Sequence, residues 1–197
     1  MAKRRKDRGK VKDRFKLKKW YDVEAPDIFD NKVVGEIPAL EDDALINRVV
    51  TVSLADLTGK FDETGLYTNV WLQVNDVKGN RAKTRVKGYE MLRAYIKTIV
   101  RRRRSTVDDV IDVVTKDGQK VRIKNIVITA HRVSRSVERA IRLSIRELAK
   151  KTAAEKDFNE LIRHLVFGQF ANEMKNTAKK IVPIERAVVR RVDVLKK

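Results

Sequence analysis

The chain has 197 residues and 22.8 kDa, is 42% apolar, and carries 46 Lys and Arg against 27 Asp and Glu, a formal net charge of +19 with a pI near 10.2. That apolar content supports a buried core. The charge imbalance calls for a polyanionic partner, nucleic acid before an anionic membrane surface. Zero cysteines exclude disulfides, thiol nucleophiles and cysteine metal sites, two histidines exclude a histidine-rich centre, and no apolar run reaches the length of a membrane span.

In chain order, residues 1–17 are too polar to fold alone and read as a disordered basic arm in front of a single α+β body, residues 18–197. Residues 1–19 hold eleven basic and two acidic groups. The candidate RNA contacts here are Lys3, Arg4, Arg5, Lys6, Arg8, Lys10, Lys12, Arg14, Lys16, Lys18 and Lys19, with Trp20 as a base or sugar platform beside Tyr21. No targeting leader fits, since no apolar stretch follows the basic start. A strand spans Lys18–Glu24. Residues 22–65 then reverse the sign, with eleven acidic and three basic groups. Glu41, Asp42 and Asp43 are expected in a loop after Pro38, facing solvent or a basic neighbour.

The 26 valines favour strands, expected next at Asn47–Leu54, Leu66–Val77 and Arg81–Lys87. Trp71 sits in an apolar-rich strand and reads as core. Lys78-Gly79-Asn80 joins the last two strands in either of two registers, which set Asp76 opposite Arg81 or opposite Lys83. Arg81, Lys83, Arg85 and Lys87 recur at period two, so they project from one face, a pattern suited to phosphate. A helix over Tyr89–Arg102 places Leu92, Tyr95, Ile96 and Ile99 on one side and ends in Arg101, Arg102, Arg103 and Arg104. Helix-dipole compensation needs one or two of these arginines, and the remainder suit bidentate phosphate contacts.

Val107–Thr115 and Lys120–Thr129 form a hairpin, with a two-residue turn at Asp117–Gly118. Asp108 and Asp112 are the best magnesium pair available to a nuclease, but Asp109 faces the other way, and neither GxxxxGK[ST] nor GxGxxG occurs. A helix from Ser134 or Ser136 buries Val137, Ala140, Ile141, Ile145 and Leu148, and aligns Arg135, Arg139, Arg142 and Arg146 as a ridge on the opposite face. A further helix opens with a capping box at Asp157 and Glu160 and runs through Leu161, Ile162, Leu165, Phe170 and Met174. After Pro183, Ile184–Leu195 returns as a strand.

Read in order, Lys18-Lys19-Trp20-Tyr21, Asp56-Leu57-Thr58-Gly59, Asp76-Val77-Lys78-Gly79, Arg101–Arg104 with Ser105, Thr115-Lys116-Asp117-Gly118, Arg135-Ser136-Val137-Glu138-Arg139-Ala140-Ile141-Arg142 and Lys180-Ile181-Val182-Pro183-Ile184-Glu185-Arg186-Ala187 resemble the small-subunit ribosomal protein family called e-S-one, or S-three-A-e. The resemblance runs from about Lys18 to Leu195, and the absence of a longer C-terminal extension is that of an archaeal member. It implies a non-catalytic, cytoplasmic component of the ribosome with no cofactor or metal and no membrane partner. Its partners would be small-subunit rRNA on the platform, near the messenger RNA exit, and neighbouring platform ribosomal proteins, with messenger RNA a further contact. The implied fold is an antiparallel β-barrel-like sheet with about three packed helices. The rival classes are a magnesium-dependent RNA-processing enzyme and a DNA-compacting protein.

Overall fold

The structure is a computed structural model that describes residue 15 and residues 17–195. Apart from Phe15 and Leu17, the basic arm therefore lies outside the described residues. The elements in chain order are β1 (Lys19–Glu24), β2 (Val33–Ala39), β3 (Val49–Ser53), α1 (Leu54–Thr58), α2 (Glu63–Leu66), β4 (Thr68–Lys78), β5 (Arg81–Met91), α3 (Arg93–Ile99), β6 (Thr106–Val114), β7 (Lys120–Thr129), α4 (Arg135–Glu155), α5 (Phe158–Val166), α6 (Gln169–Lys179) and β8 (Ile184–Val194).

The expectation of a barrel is corrected: the eight strands form one open sheet in the order β2-β1-β5-β8-β7-β6, with β4 and then β3 branching from β5. The cause is the way β5 shares its edges. One edge pairs with β4 along nearly its full length. The other is divided, with Arg81–Lys83 taking β1 in parallel and Gly88–Glu90 taking β8 antiparallel. The sheet forks at that division, and among the described residues β2, β3 and β6 have no partner that would close it.

A bulge at Lys87 makes the division possible. Leu72 pairs with Val86 and Trp71 with Gly88, which leaves Lys87 as the extra residue. The phase shift puts both Val86 and Tyr89 on the core face although they are three residues apart. Tyr89 is fully buried, its hydroxyl donates to the Leu165 carbonyl at 3.2 Å, and burial pushes its phenol far above the ordinary range. Gly88 lets the β8 backbone approach, because a Cβ there would lie 2.1 Å from the Val192 carbonyl oxygen.

Alternation along β6, β7 and β8 builds two cores. Val107, Ile111, Val121, Ile123, Val127 and Val189 face α4, α5 and α6, meeting Ile141, Ile145, Leu161, Leu165, Phe170 and Met174. Ile126, Ile128 and Val188 face the other side, where among the described residues α3 covers them through Tyr95 and Ile99, beside Met91. A third cluster joins Tyr21, Val23, Ile37, Leu45, Val74 and Ala82 at the β1 end.

The seven expected strands are present, and several boundaries change. β2 was not expected, since Gly35 and Pro38 break its pattern. It is an edge strand, where a missing proline N–H is tolerated. Tyr89–Met91 continue β5, so α3 begins only at Arg93. The last predicted helix is two helices, because Gly168 at φ 75° interrupts it between α5 and α6. The expected capping-box hydrogen bond is absent. Asp157 occupies the N-cap position of α5 without a side-chain cap, and the first backbone N–H, of Phe158, donates to the Asp117 carboxylate at 2.9 Å.

The hairpins behave differently from each other. Lys78 pairs with Arg81, so Gly79–Asn80 is the two-residue turn and Asp76 stands opposite Lys83. The β6–β7 loop is longer than expected: Thr115 N–H donates to the Gln119 carbonyl and Gly118 N–H to the Thr115 carbonyl, each at 2.9 Å. Gly118 carries the one positive φ of that loop, 72°, the three-residue form in which a turn ends in a left-handed residue.

α4 docks on the outer strand β6 through two arginines. Arg146 grips the buried Asp109 carboxylate with contacts of 2.6–3.1 Å, and Arg142 Nε donates to the backbone carbonyl of Asp108 at 3.2 Å. The first contact holds α4 against the buried face of β6, and the second satisfies one backbone carbonyl of that outer strand. Asp109→Ala is expected to lower stability by about 2–3 kcal/mol, while Asp108→Ala is near neutral because the backbone carbonyl remains. Chemical denaturation checks both. Gly88→Ala is expected to cost about 3 kcal/mol or more, a drop in thermal midpoint of roughly 6–12 °C. Gly35→Ala, where a Cβ meets nothing within 4 Å, should shift the midpoint by less than about 2 °C.

Candidate nucleic-acid interface

The strongest concentration of cations lies at one end of the sheet. α3 ends at Ile99 with Lys97 as its last-turn cation, so Arg101–Arg104 stand beyond the helix in a turn, with Arg103 at φ 65°. They do not cap α3. Ser105 ties this turn to the end of β7 and the start of α4: its N–H donates to Thr129 Oγ1 at 3.0 Å, Thr129 N–H donates to its carbonyl at 3.0 Å, and Val133 N–H donates to its Oγ at 3.2 Å. Ala130 N–H donates to the Pro183 carbonyl at 3.0 Å, which brings the end of α6 to the same place.

Arg101, Arg102, Arg103, Arg132, Arg135, Arg139, Lys179 and Lys180 thus share one end of the molecule and are all exposed. None of them enters an ion pair among the described residues. Arg104 is the exception in its run, because it pairs with Glu185 at the start of β8. The sequence pattern gives no reason to group Arg132, Lys179 and Lys180 with the arginine run, since only the β7–α4 and α6–β8 junctions bring them together.

The arginine ridge on α4 divides. Arg135 and Arg139 are free and exposed, whereas Arg142 pairs with Glu138 at 3.5 Å and Arg146 with Asp109. The Asp109 carboxylate also raises the Arg146 pKa, chiefly by accepting its hydrogen bonds. Two members of the expected ridge therefore hold the fold.

The β5 row is as expected in direction: Arg81, Lys83, Arg85 and Lys87 are exposed while Ala82, Thr84 and Val86 are buried. Its surroundings are mixed. Asp22 and Glu24 of β1 stand beside Arg81 and Lys83, and Asp76 is opposite Lys83, so this half is flanked by carboxylates. Arg85 donates to Gln73 Oε1 at 3.2 Å, and Lys87 lies near Trp71. Trp71 corrects the core assignment. It alternates with buried Val70 and Leu72, so its half-buried ring lies on the outer face, with the Arg191 guanidinium 4.6 Å from the ring centroid.

Lys18 is half-buried with its Nζ 5.0 Å from the Phe15 ring, and Lys19 and Trp20 are exposed. Trp20 pairs with Pro38, and the next pair on the same strand face is Asp22 with Glu36. Arg48 donates to the Pro38 carbonyl at 3.3 Å and Arg81 stands beside Asp22, so carboxylates and cations are mixed around Trp20, unlike at the arginine turn. Asp42 is not a free loop acid, since Tyr21 Oη donates to it at 2.5 Å, and that bond leads the rise in the Tyr21 pKa. Lys3, Arg4, Arg5, Lys6, Arg8, Lys10, Lys12, Arg14 and Lys16 lie outside the described residues.

Asp108 and Asp112 share a face, but Asp112 is gripped by Arg122 at 2.7 and 2.8 Å, which lowers its pKa. Among the described residues no group of three or more acidic or histidine side chains is placed to hold a metal ion. Cations that the pattern overlooked line a groove of about 440 Å³ on the side of the sheet that carries α3: Arg93, Lys97, Lys124, Arg190 and Arg191, with Glu90. A bulge at Arg190 sets that register, and nothing in the spacing marks it.

The family model for the Ribosomal S3Ae family matches residues 6–197. Curated relatives named "Small ribosomal subunit protein eS1", from Saccharolobus islandicus strains L.S.2.15 / Lassen #1 and M.16.4 / Kamchatka #3, are each 38% identical over 188 residues, covering 95% of this chain and 89% of the relative. With the match running through both the acidic and the basic ends of the sheet, the chain belongs to the Ribosomal S3Ae family.

Proposed function

We propose that this protein is a structural, rRNA-binding constituent of the small ribosomal subunit. The observation that carries the reading is the family match over residues 6–197. Charge geometry supports how the protein binds. Arg101–Arg103, Arg132, Arg135, Arg139, Lys179 and Lys180 form an exposed basic end that suits phosphates without reading bases. The residues 1–19, with their eleven cations, extend the same chemistry along RNA. Nothing in this role needs catalysis, a metal or a cofactor, and residues 18–197 act as one body. The resemblance to the family supports a place on the platform near the messenger RNA exit, beside other ribosomal proteins and within reach of messenger RNA.

The acidic half supports a protein contact. Register puts Asp22, Glu24 and Glu36 along β1 and β2 at the Arg81 end of β5, opposite in direction to the basic end reached through β8. A basic neighbouring protein fits there, and phosphate is repelled.

Co-sedimentation of the chain with small subunits in a sucrose gradient tests the reading, and recovery only at the top of the gradient or with chromosomal DNA refutes it. Replacing Arg101, Arg102 and Arg103 with Gln should flatten the salt dependence of rRNA binding by about 0.9 in log–log slope for each phosphate that is no longer neutralised, with thermal stability unchanged. Arg104→Gln should do the reverse, costing about 1 kcal/mol of stability through Glu185 with little change in slope. Changing Glu36, Glu41 and Asp43 to Ser, with Asp42 kept to hold Tyr21, is expected to leave or strengthen binding to naked rRNA in a filter-binding assay.

A further inference from the structure

Arg191 sits where two grooves meet on the sheet side that carries α3. One, of about 440 Å³, is lined by Glu90, Arg93, Ile96, Lys97, Lys124 and Arg190, and the other, of about 360 Å³, by Lys87, Asp193 and Trp71 with Val49, Thr51 and Val194. Arg191 lines both. The cations in the combined groove outnumber its two carboxylates, and both carboxylates are already engaged. Asp193 accepts from Arg191 Nε at 2.9 Å and takes Lys124 at 3.3 Å, while Glu90 takes Arg191 Nη1 at 3.3 Å.

These contacts fix the guanidinium in place. Two carboxylates hold its edge, Trp71 covers one face at 4.6 Å, and about a third of the side chain, 35%, remains exposed. Gly88 explains the room: it stands between Trp71 and Asp193 in the sheet, so no side chain separates the indole from β8. An arginine held in its own plane, with one face open, can stack a nucleobase. Lys87, Arg93, Lys97 and Arg190 around it supply phosphate contacts. A duplex keeps its bases stacked on one another, so the stacking face serves only an unpaired strand.

We propose that this groove binds an unpaired RNA strand, with one base stacked on Arg191 over Trp71 and the flanking phosphates on Lys87, Arg93, Lys97 and Arg190. The proposal rests on the RNA-binding reading above and adds to it the kind of RNA and the place where that RNA lies, a groove centred on β8 and α3.

The test uses the full chain and two RNA probes, a short oligouridine and an RNA duplex of the same length. In a Trp20→Phe background, Trp71 is the sole tryptophan, and its fluorescence should change with oligouridine and stay constant with duplex. Arg191→Lys keeps the charge but loses the planar face, and should weaken oligouridine binding about tenfold while duplex affinity moves less than about twofold. Because Arg191 also braces Glu90 and Asp193, the exposed pair Arg93→Gln and Lys97→Gln provides a second variant, expected to lower oligouridine affinity more than duplex affinity. A silent Trp71 under saturating oligouridine overturns the proposal. So do equal losses for both probes, or preferred capture of a protein segment that leaves oligouridine binding unchanged. Wild-type chain that sediments with small subunits while Arg191→Lys keeps full oligouridine affinity refutes the groove alone. Chain that fails to sediment but passes the groove test refutes only the ribosomal reading.

Discussion

The fold depends on a single strand edge serving two partners. β5 gives half of one edge to β1 and the other half to β8, and the bulge at Lys87 with Gly88 is what allows the exchange. If β5 ran regularly, Tyr89 would face solvent and its hydroxyl could not reach the Leu165 carbonyl. Any larger residue at 88 would drive β8 away from the sheet, and β7 and β6 would go with it. The same fork keeps the sheet open. It leaves one face for the large helices α4–α6, and among the described residues α3 is the helix packed on the other.

Much of this is legible in the sequence because strand alternation is a local signal. Arg81–Lys87, Lys120–Thr129 and Ile184–Leu195 alternate clearly enough to locate three central strands, and Ile141 and Ile145 mark the buried side of α4. What the pattern does not carry is contact between distant segments. The divided edge of β5 involves residues of three separate segments, so the strand pattern gives an α+β class without the fork, and the barrel that the family resemblance implies is replaced by an open sheet. β2 lacks alternation because an edge strand with Pro38 is stabilised by its pairing with β1. The bulges at Lys87 and Arg190 shift phase by one residue, which no period-two count can see, and they decide where Tyr89 and Arg191 point.

Charge is legible in total and not in use. The sequence shows a surplus of arginine, and the structure separates arginines that hold the protein from those left for a ligand. Arg104, Arg142, Arg146 and Arg191 have carboxylate partners, and for Arg146 that partner is a buried aspartate whose desolvation makes the pair structural. Arg101–Arg103, Arg135 and Arg139 have no such partner among the described residues and stand at the end of the sheet, so their mutual repulsion is relieved only by counterions or phosphate. Among the described residues, the acidic strands β1 and β2 and the exposed arginine turn are set at opposite ends of β5 and β8, which separates carboxylates from the cations left for a polyanion.

β8 follows every other strand in the sequence yet lies in the middle of the sheet, between β5 and β7. On the translating ribosome, β1–β5 and the β6–β7 hairpin therefore emerge as two unfinished half-sheets with facing open edges. The helices α4, α5 and α6 must be synthesised before the strand that joins those halves. Pairings of such long sequence separation form slowly, and the waiting edge of β7 is rich in valine and isoleucine, the composition that favours pairing with the wrong chain. The interval before β8 arrives is therefore the period in which these edges are most open to wrong pairing.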